Sequence, residues 1–470
     1  MSGLYERIIM NPEMKLKRLF SEWAPVIFLG LVWATGALAA GSPLTLGEAV
    51  LLALKENPGL KATGLNVPAA EAQVARARAR FLPQISFFQS FLNSDNPAQV
   101  FTQKLNQRQF TSQDFLLDNL NNPSSYSNWR TGLVARQPIF QAGEAYLGYQ
   151  QARLGKDIAS FQVVTHRQQL IYRVHQAYFG RQLAEARLKV VQEAKNTAAA
   201  NRKLVQARFD SGDVVRADLL SADVHLARLT QEELTAASQV EIAQSALATA
   251  VGIPEVASRP LSPAPKKPSP LPGNLGELQE VAKAKRPDLR RLALAARVAR
   301  QELTKARLDF LPRLNLTAEY DIDQKYFLGS NADSYTVMAV MHLNLFNGLA
   351  KVARERQARA QAAQAREQQR EFLDHIRHQV TESVEHLKTA HARLKVSRAA
   401  VEQARESLRL IRLRYEEGLT ILVDLLAAED AKKEADLNNL TALFDTHLAQ
   451  AGLELALGTL TGPETLGEGK

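Results

Sequence analysis

Phe310-Leu311-Pro312-Arg313-Leu314-Asn315-Leu316-Thr317-Ala318-Glu319-Tyr320 changes its period in the middle. The stretch before it, Leu275 to about Asp309, is rich in Ala, Leu, Arg and Glu and reads as a modest amphipathic helix. Pro312 stops that helix, because proline lacks the amide donor a helix interior needs and pushes the preceding residue toward extended geometry. Beyond it Leu314, Leu316, Ala318 and Tyr320 alternate with Arg313, Asn315, Thr317 and Glu319. That period of two separates an apolar from a polar strand face. A second alternating run, Tyr335 to Leu345, places Tyr335, Val337, Ala339, Met341, Leu343 and Leu345 on one side.

The same transition occurs earlier in the chain. Asn57-Pro58 and Phe81-Leu82-Pro83 recur 229 positions on as Arg286-Pro287 and Phe310-Leu311-Pro312. From Phe140 the offset becomes 206, so that Arg208, Phe209, Gly212, Asp218, Leu219 and Gly252 meet Arg414, Tyr415, Gly418, Asp424, Leu425 and Gly458. Units this long exceed the 20–50 residues of solenoid repeats and mark a duplicated half-protein. The first copy, 40–253, opens with a helix from Leu46 to about Arg80 and has rougher strands at about 84–92 and 129–139, with Arg130 and Arg136 opposite Trp129 and Leu133. The second, 274–459, has its strands at about 313–320 and 335–345. Between them 254–273, with seven prolines, reads as a stiff connector that is neither helix nor inner strand.

Four strands of about 8 to 11 residues match the 9–11 that a tilted strand needs to cross a bilayer. Asn93–Asn128, polar and rich in Asn, Gln, Ser and Asp, suits a long external loop, with the shorter Asp321–Asp333 beside it. A soluble four-stranded sheet packed on helices fits the same alternation, so the strands alone leave both open. Inside lipid every unpaired backbone group is costly, so four strands with two raw edges must close against other chains. Two chains give eight strands and a nearly filled interior, whereas three give twelve and a lumen. Three is the expected number.

The longest helical patterns run from about Gly143 to Phe209 and from Gly348 to Tyr415, each roughly 100 Å if unbroken. In the second, Leu387, Leu394, Val401, Leu408 and Tyr415 recur every seven residues, the spacing of a left-handed coiled coil. Their partners are the returning helices Val214–Val251 and Leu422–Leu457. Gly212 and Gly418 supply the left-handed conformation that ends a helix and mark the tips of two antiparallel hairpins.

At the N-terminus Lys15, Lys17 and Arg18 precede an apolar run, Pro25–Leu38, that ends in Ala37-Leu38-Ala39. Its length of about 14 residues is short of the roughly 20 needed to span a bilayer, so 1–39 reads as a secretory signal, with Met14 an alternative start. Residues 460–470 read as a flexible tail. The chain has no cysteine, which excludes disulfides, thiolate chemistry and a lipid on cysteine. Its net charge of +9 is spread along helices among Glu, Asp and Gln, the pattern of solvated helix faces, and no nucleic-acid partner is expected. His378, Glu382 and His386, with His375 and Asp374 nearby, share a helix face but span two turns, too far for one ion. No metal or cofactor is expected. No phosphate-binding glycine loop, activated serine or carboxylate pair stands out, so the chain reads as a non-enzyme.

Leu44-Thr45-Leu46-Gly47-Glu48-Ala49 with Asn57-Pro58, the two Phe-Leu-Pro turns, Gln137-Pro138-Ile139-Phe140-Gln141-Ala142-Gly143 and the paired Arg-aromatic-x-x-Gly tips together resemble the TolC family of outer-membrane efflux and secretion channels. The resemblance implies an α+β membrane protein: a homotrimer whose twelve-stranded outer-membrane β-barrel, four strands per chain, is continued by a periplasmic α-helical barrel of coiled-coil hairpins. It implies a passive exit duct working with a periplasmic adaptor and an inner-membrane RND or ABC pump. By the same resemblance Arg208, Phe209, Gly212, Leu219, Arg414, Gly418 and Leu425 belong to adaptor-facing hairpin tips. Asp424 matches an aspartate of the pore constriction, and Asp218 and Tyr415 match a pair whose hydrogen bond helps hold the closed state. A second pore aspartate of the family is Ala427 here and a latch arginine is Thr420, which implies one acidic ring and a weaker latch. The rival reading is a soluble periplasmic coiled-coil adaptor or scaffold.

Overall fold

The computed structural model describes residues 43–263, 273–327 and 332–462. The signal at 1–39, the end of the tail and most of the prolines of the connector lie outside the described residues. In chain order the elements are α1 (Leu46–Glu56), α2 (Pro58–Gly64), α3 (Asn66–Arg78), β1 (Gln84–Ser94), α4 (Pro97–Asn106), α5 (Leu117–Asn121), β2 (Tyr126–Phe140), α6 (Glu144–Asp210) and α7 (Arg216–Val251). After the connector come α8 (Leu275–Lys285), α9 (Pro287–Leu308), β3 (Arg313–Gln324), β4 (Asp333–His342), α10 (Ala350–Glu416) and α11 (Leu422–Leu457).

The strands form one antiparallel sheet in the order β1-β2-β3-β4, so β1 and β4 are left as edges in the single chain. Register sorts the side chains into two faces. Phe87 opposes Leu133, Leu133 opposes Tyr320 and Tyr320 opposes Tyr335, while Arg130 opposes Asp323 and Arg136 opposes Thr317 on the other side. The apolar face stands bare, with Ile85 71%, Met341 69% and Tyr335 80% exposed. At the end away from the helices Phe91, Trp129 and Phe327 cluster with centroids 4.7 and 5.1 Å apart, an arrangement of the kind that aromatic girdles of membrane barrels use. No helix among the described residues is long and apolar enough to cross a membrane. β4 stops at His342 rather than Leu345, because His342 pairs with Arg313 and the next residue of the partner strand is Pro312.

The helix expected from Leu46 to Arg80 is three helices and a 3-10 turn, and that from Leu275 to Asp309 is two. Pro58 and Pro287 cut them by holding Asn57 and Arg286 at ψ 120°. The cuts receive other helices. α7 ends at Gly252 (φ +85°), where the Asn57 amide donates to the Ala250 carbonyl at 3.0 Å; α11 ends at Gly458 (φ +71°), where Arg286 donates to Ala456 at 3.3 Å. A Cβ on Gly252 would lie 3.0 Å from Asn57 Cα, and one on Gly458 2.9 Å from Arg286 Cα. Each returning helix thus abuts a shorter one end to end. The result is a four-stave wall: α7 with α2 and α3, then α6, then α11 with α9, then α10.

A collar packs on the middle of this wall. α1 buries Val50 and Ala53 against Leu170, Ile171 and Val174 of α6, and α8 buries Ala282 against Ile376 and Val380 of α10. The start of the connector takes part: Pro254–Ser258 is a 3-10 turn, contrary to the helix-free expectation, and Leu261 bridges in parallel to Leu44. Proline is tolerated there because it sits at the first position of the turn.

The segment between β1 and β2 departs most from expectation. It carries α4, a 3-10 turn at Ser112–Phe115 and α5, with Phe101, Phe110 and Phe115 meeting edge to face at centroid distances of 4.8 and 5.0 Å. Asn96 caps α4 ahead of Pro97, and Thr111 and Asp114 form a capping box. Those signals are readable in the residues, but the polar composition hid them.

Candidate functional site at the hairpin tips

Both long hairpins turn in the same way. Gly212 (φ +87°) and Gly418 (φ +76°) stand in open space, and the Asp213 and Leu419 amides donate to the Arg208 and Arg414 carbonyls, each at 2.8 Å. These bonds satisfy carbonyls that the helix ends leave unpaired. The two tips then pack into one small core: Val205 and Ala222 of the first hairpin meet Tyr415, Leu422 and Leu425 of the second. Leu425, expected at an adaptor-facing tip, is 1% exposed and packs into this core. Leu219 is half-buried against the same core and Phe209 is half-buried, whereas Arg414 is exposed.

Arg208 links the hairpins. Its guanidinium donates to the carbonyls of Tyr415 at 3.4 Å and Glu416 at 3.3 Å, and lies 5.0 Å over the Tyr415 ring. A cation at the carbonyl end of α10 is favoured by the helix dipole, and the ring adds a cation–π contact. The hydrogen bond expected between Asp218 and Tyr415 is not formed: the Tyr415 hydroxyl is buried with no hydrogen-bond partner among the described residues. Packing into the tip core turns the ring inward and leaves Asp218 half-buried in the first turn of α7. Asp424 is exposed in the first turn of α11 and accepts from the Thr420 hydroxyl at 2.5 Å. The Thr420 hydroxyl thus orients the carboxylate. Leu419, Ile421 and Val423 around it are exposed and apolar.

Just above the tips lies a charged cluster that sequence reading missed. Glu429 of α11 accepts from Asn201 of α6 at 2.5 Å and Arg412 of α10 at 3.3 Å, and its other oxygen lies 4.0 Å from His225 Nε2 of α7. Lys433 pairs with Glu232 at 2.7 Å and Arg228 with Asp430 at 2.5 Å, so every stave has a member in the cluster. Burial pushes the Glu429 carboxyl above its ordinary range, against the pull of Asn201 and Arg412. Burial likewise pushes the His225 imidazole down. The available signal was spacing: 225, 228 and 232 recur at three and four residues, facing 429, 430 and 433.

Known proteins share this architecture. The chain is 27% identical to the alkaline protease secretion protein AprF of Pseudomonas aeruginosa over 95% of its length and 90% of that protein. It is 25% identical to the proteases secretion protein PrtF of Dickeya chrysanthemi, over 84% of each. The fold superposes on the crystal structure of the Campylobacter jejuni CmeC outer membrane channel with a TM-score of 0.77, at 17% identity, over 89% of this chain and 86% of that one. The sequence model of the outer membrane efflux protein family matches two blocks, 50–253 and 278–459. Those blocks are the two repeats, and with that correspondence the chain belongs to the outer membrane efflux protein family, as a TolC-type exit duct seated in the outer membrane and extended through the periplasm by its helices.

Proposed function

We propose that three copies form the duct, that it passes a polypeptide cargo handed over by an inner-membrane ABC pump through a periplasmic adaptor, and that the hairpin tips hold its periplasmic end shut. The secretion reading rests on AprF and PrtF, both named for protease secretion. The family's name favours efflux as the second reading. A strain lacking its own duct separates them: restored export of a protease, with drug tolerance unchanged, supports secretion, and the reverse result supports efflux.

The observation that carries the gate is the Arg208 clamp, since it ties the end of one hairpin to the other within a chain. The exposed apolar residues and Arg414 around the tips are then the surface offered to the adaptor. Arg208→Ala removes two charge-assisted contacts and the ring contact, together worth about 1–3 kcal/mol, and is expected to raise the open fraction in planar bilayers roughly tenfold. An unchanged open fraction places closure elsewhere.

A further inference from the structure

The segment between β1 and β2 hangs on the polar face of the sheet. Gln107, at the end of α4, donates to the Ser127 carbonyl at 2.9 Å and to Asn128 Oδ1 at 2.8 Å, and accepts from the Tyr126 hydroxyl at 2.8 Å. Asn128 also contacts Asp323, which shares its face of the sheet. In a barrel that turns its apolar face to lipid this polar face lines the lumen. Arg108 then reaches past β3 to the Asp333 carbonyl at 2.7 Å and carboxylate at 3.1 Å. The segment is therefore anchored to its own wall at two places at the end away from the helices: Gln107 holds it to the lumen face, and Arg108 holds it at the rim, where Asp333 pairs with Ile322 on the face of Tyr320 and Tyr335.

It is also folded. Lys104 pairs with Asp114 at 2.6 Å, Val100 is buried, and Phe101 and Phe110 meet edge to face in its middle. Yet Phe115, Leu116 and Leu117 in succession are 67%, 60% and 74% exposed. Three adjacent large apolar side chains facing water on an external segment call for a partner.

Geometry names the partner. Twelve strands about 4.8 Å apart, tilted by roughly 35–45°, enclose a backbone radius of roughly 11–13 Å. A helix with side chains is about 10–12 Å wide, and three such cylinders side by side need a circle of about 11–13 Å radius. Three copies of α4 and its neighbours, each held to its own wall, cannot avoid meeting at the axis.

We propose that residues 96–122 form an outer plug, in which Phe115, Leu116 and Leu117 of the three copies pack together on the threefold axis and close the external mouth with a hydrophobic constriction. The proposal rests on the trimeric duct reading. Passage then needs the Arg108–Asp333 anchor to release, a surface ion pair weak enough to break when cargo pushes from below.

The absence of cysteine makes the test clean. Leu117→Cys in outer membranes, treated with a mild oxidant, is expected to give disulfide-linked dimers on a non-reducing gel, while native mass measurement of the same sample reports the trimer. A trimer without linked dimers overturns the plug and leaves the duct standing; absence of the trimer sinks both. Independently, Thr317→Cys on the lumen face reports access for a bulky, membrane-impermeant maleimide added to whole cells. Adding Leu116→Ser and Leu117→Ser is expected to speed its labelling at least tenfold, as loss of two buried leucines implies. Adding Arg108→Ala is expected to speed it roughly two- to fivefold, the worth of one exposed pair. Equal rates in all backgrounds overturn the proposal.

Discussion

Arg208 shows how a duplicated residue takes on a single job. Its counterpart Arg414 is exposed, whereas Arg208 finds the end of α10 and the ring of Tyr415, for which the first copy has Phe209. Asp424 is similarly asymmetric in use. It is exposed at the tip and accepts from the Thr420 hydroxyl, and Ala427 one turn on carries no charge. If three Asp424 carboxylates ring the pore, Asp424→Asn is expected to lower cation-over-anion preference by a few-fold in reversal-potential measurements across planar bilayers. A preference that does not move removes Asp424 from the constriction. The sequence could place Asp424 because first-turn position and spacing to Gly418 are local properties. It could not foresee the orphaned Tyr415 hydroxyl, because burial of a ring between two hairpins depends on residues 200 positions apart.

At the scale of elements, the end-to-end splices explain why Asn57-Pro58 and Arg286-Pro287 recur with Gly252 and Gly458. One residue before the proline caps the incoming helix, and the glycine lets the two backbones approach. Gly458→Ala incurs about 1–2 kcal/mol for the left-handed conformation and a backbone clash besides, while Gly418→Ala in open space incurs only the former. Thermal denaturation is expected to rank Gly458→Ala clearly below Gly418→Ala; equal losses would falsify the splice account. The contact of α7 with α11 carries a pH dependence. His225 is held below its ordinary value near 6.5 by burial, helped by Arg228 and Lys433 and opposed by Asp430 and Glu232, while Glu429 faces its other nitrogen. The unfolded chain therefore binds this proton more readily, and stability is lost as pH falls below about 6.5. Glu429, with its value raised by burial, works in the opposite sense as pH falls further. Relative to the wild type, His225→Gln should gain melting temperature between pH 7.5 and 5.5. A constant difference across that range means that His225 does not titrate in the contact.

For the whole molecule, the sheet has two faces and two open edges, and the wall of helices continues it. Val337 lies on the lipid side and Met338, one residue on, in the lumen. An arginine in the lipid-facing band costs about 2–4 kcal/mol per chain, so Val337→Arg is expected to abolish heat-modifiable trimers in the outer membrane while Met338→Arg keeps them. Equal assembly of the two would mean that the register is wrong. By itself the sequence determined the duplication, the four strands with their alternating faces, the two hairpins and the glycine tips. Each of these is written in periods of two, three and a half or seven residues and in local punctuation by proline and glycine. Only the tertiary structure decided that Asn93–Asn128 is a folded segment, that two prolines receive the ends of other helices, and that Arg208, His225 and Glu429 join one hairpin to the next. The splices and the joins between hairpins pair residues from 170 to 228 positions apart, and a linear pattern carries no information about which distant side chain fills the space beside it.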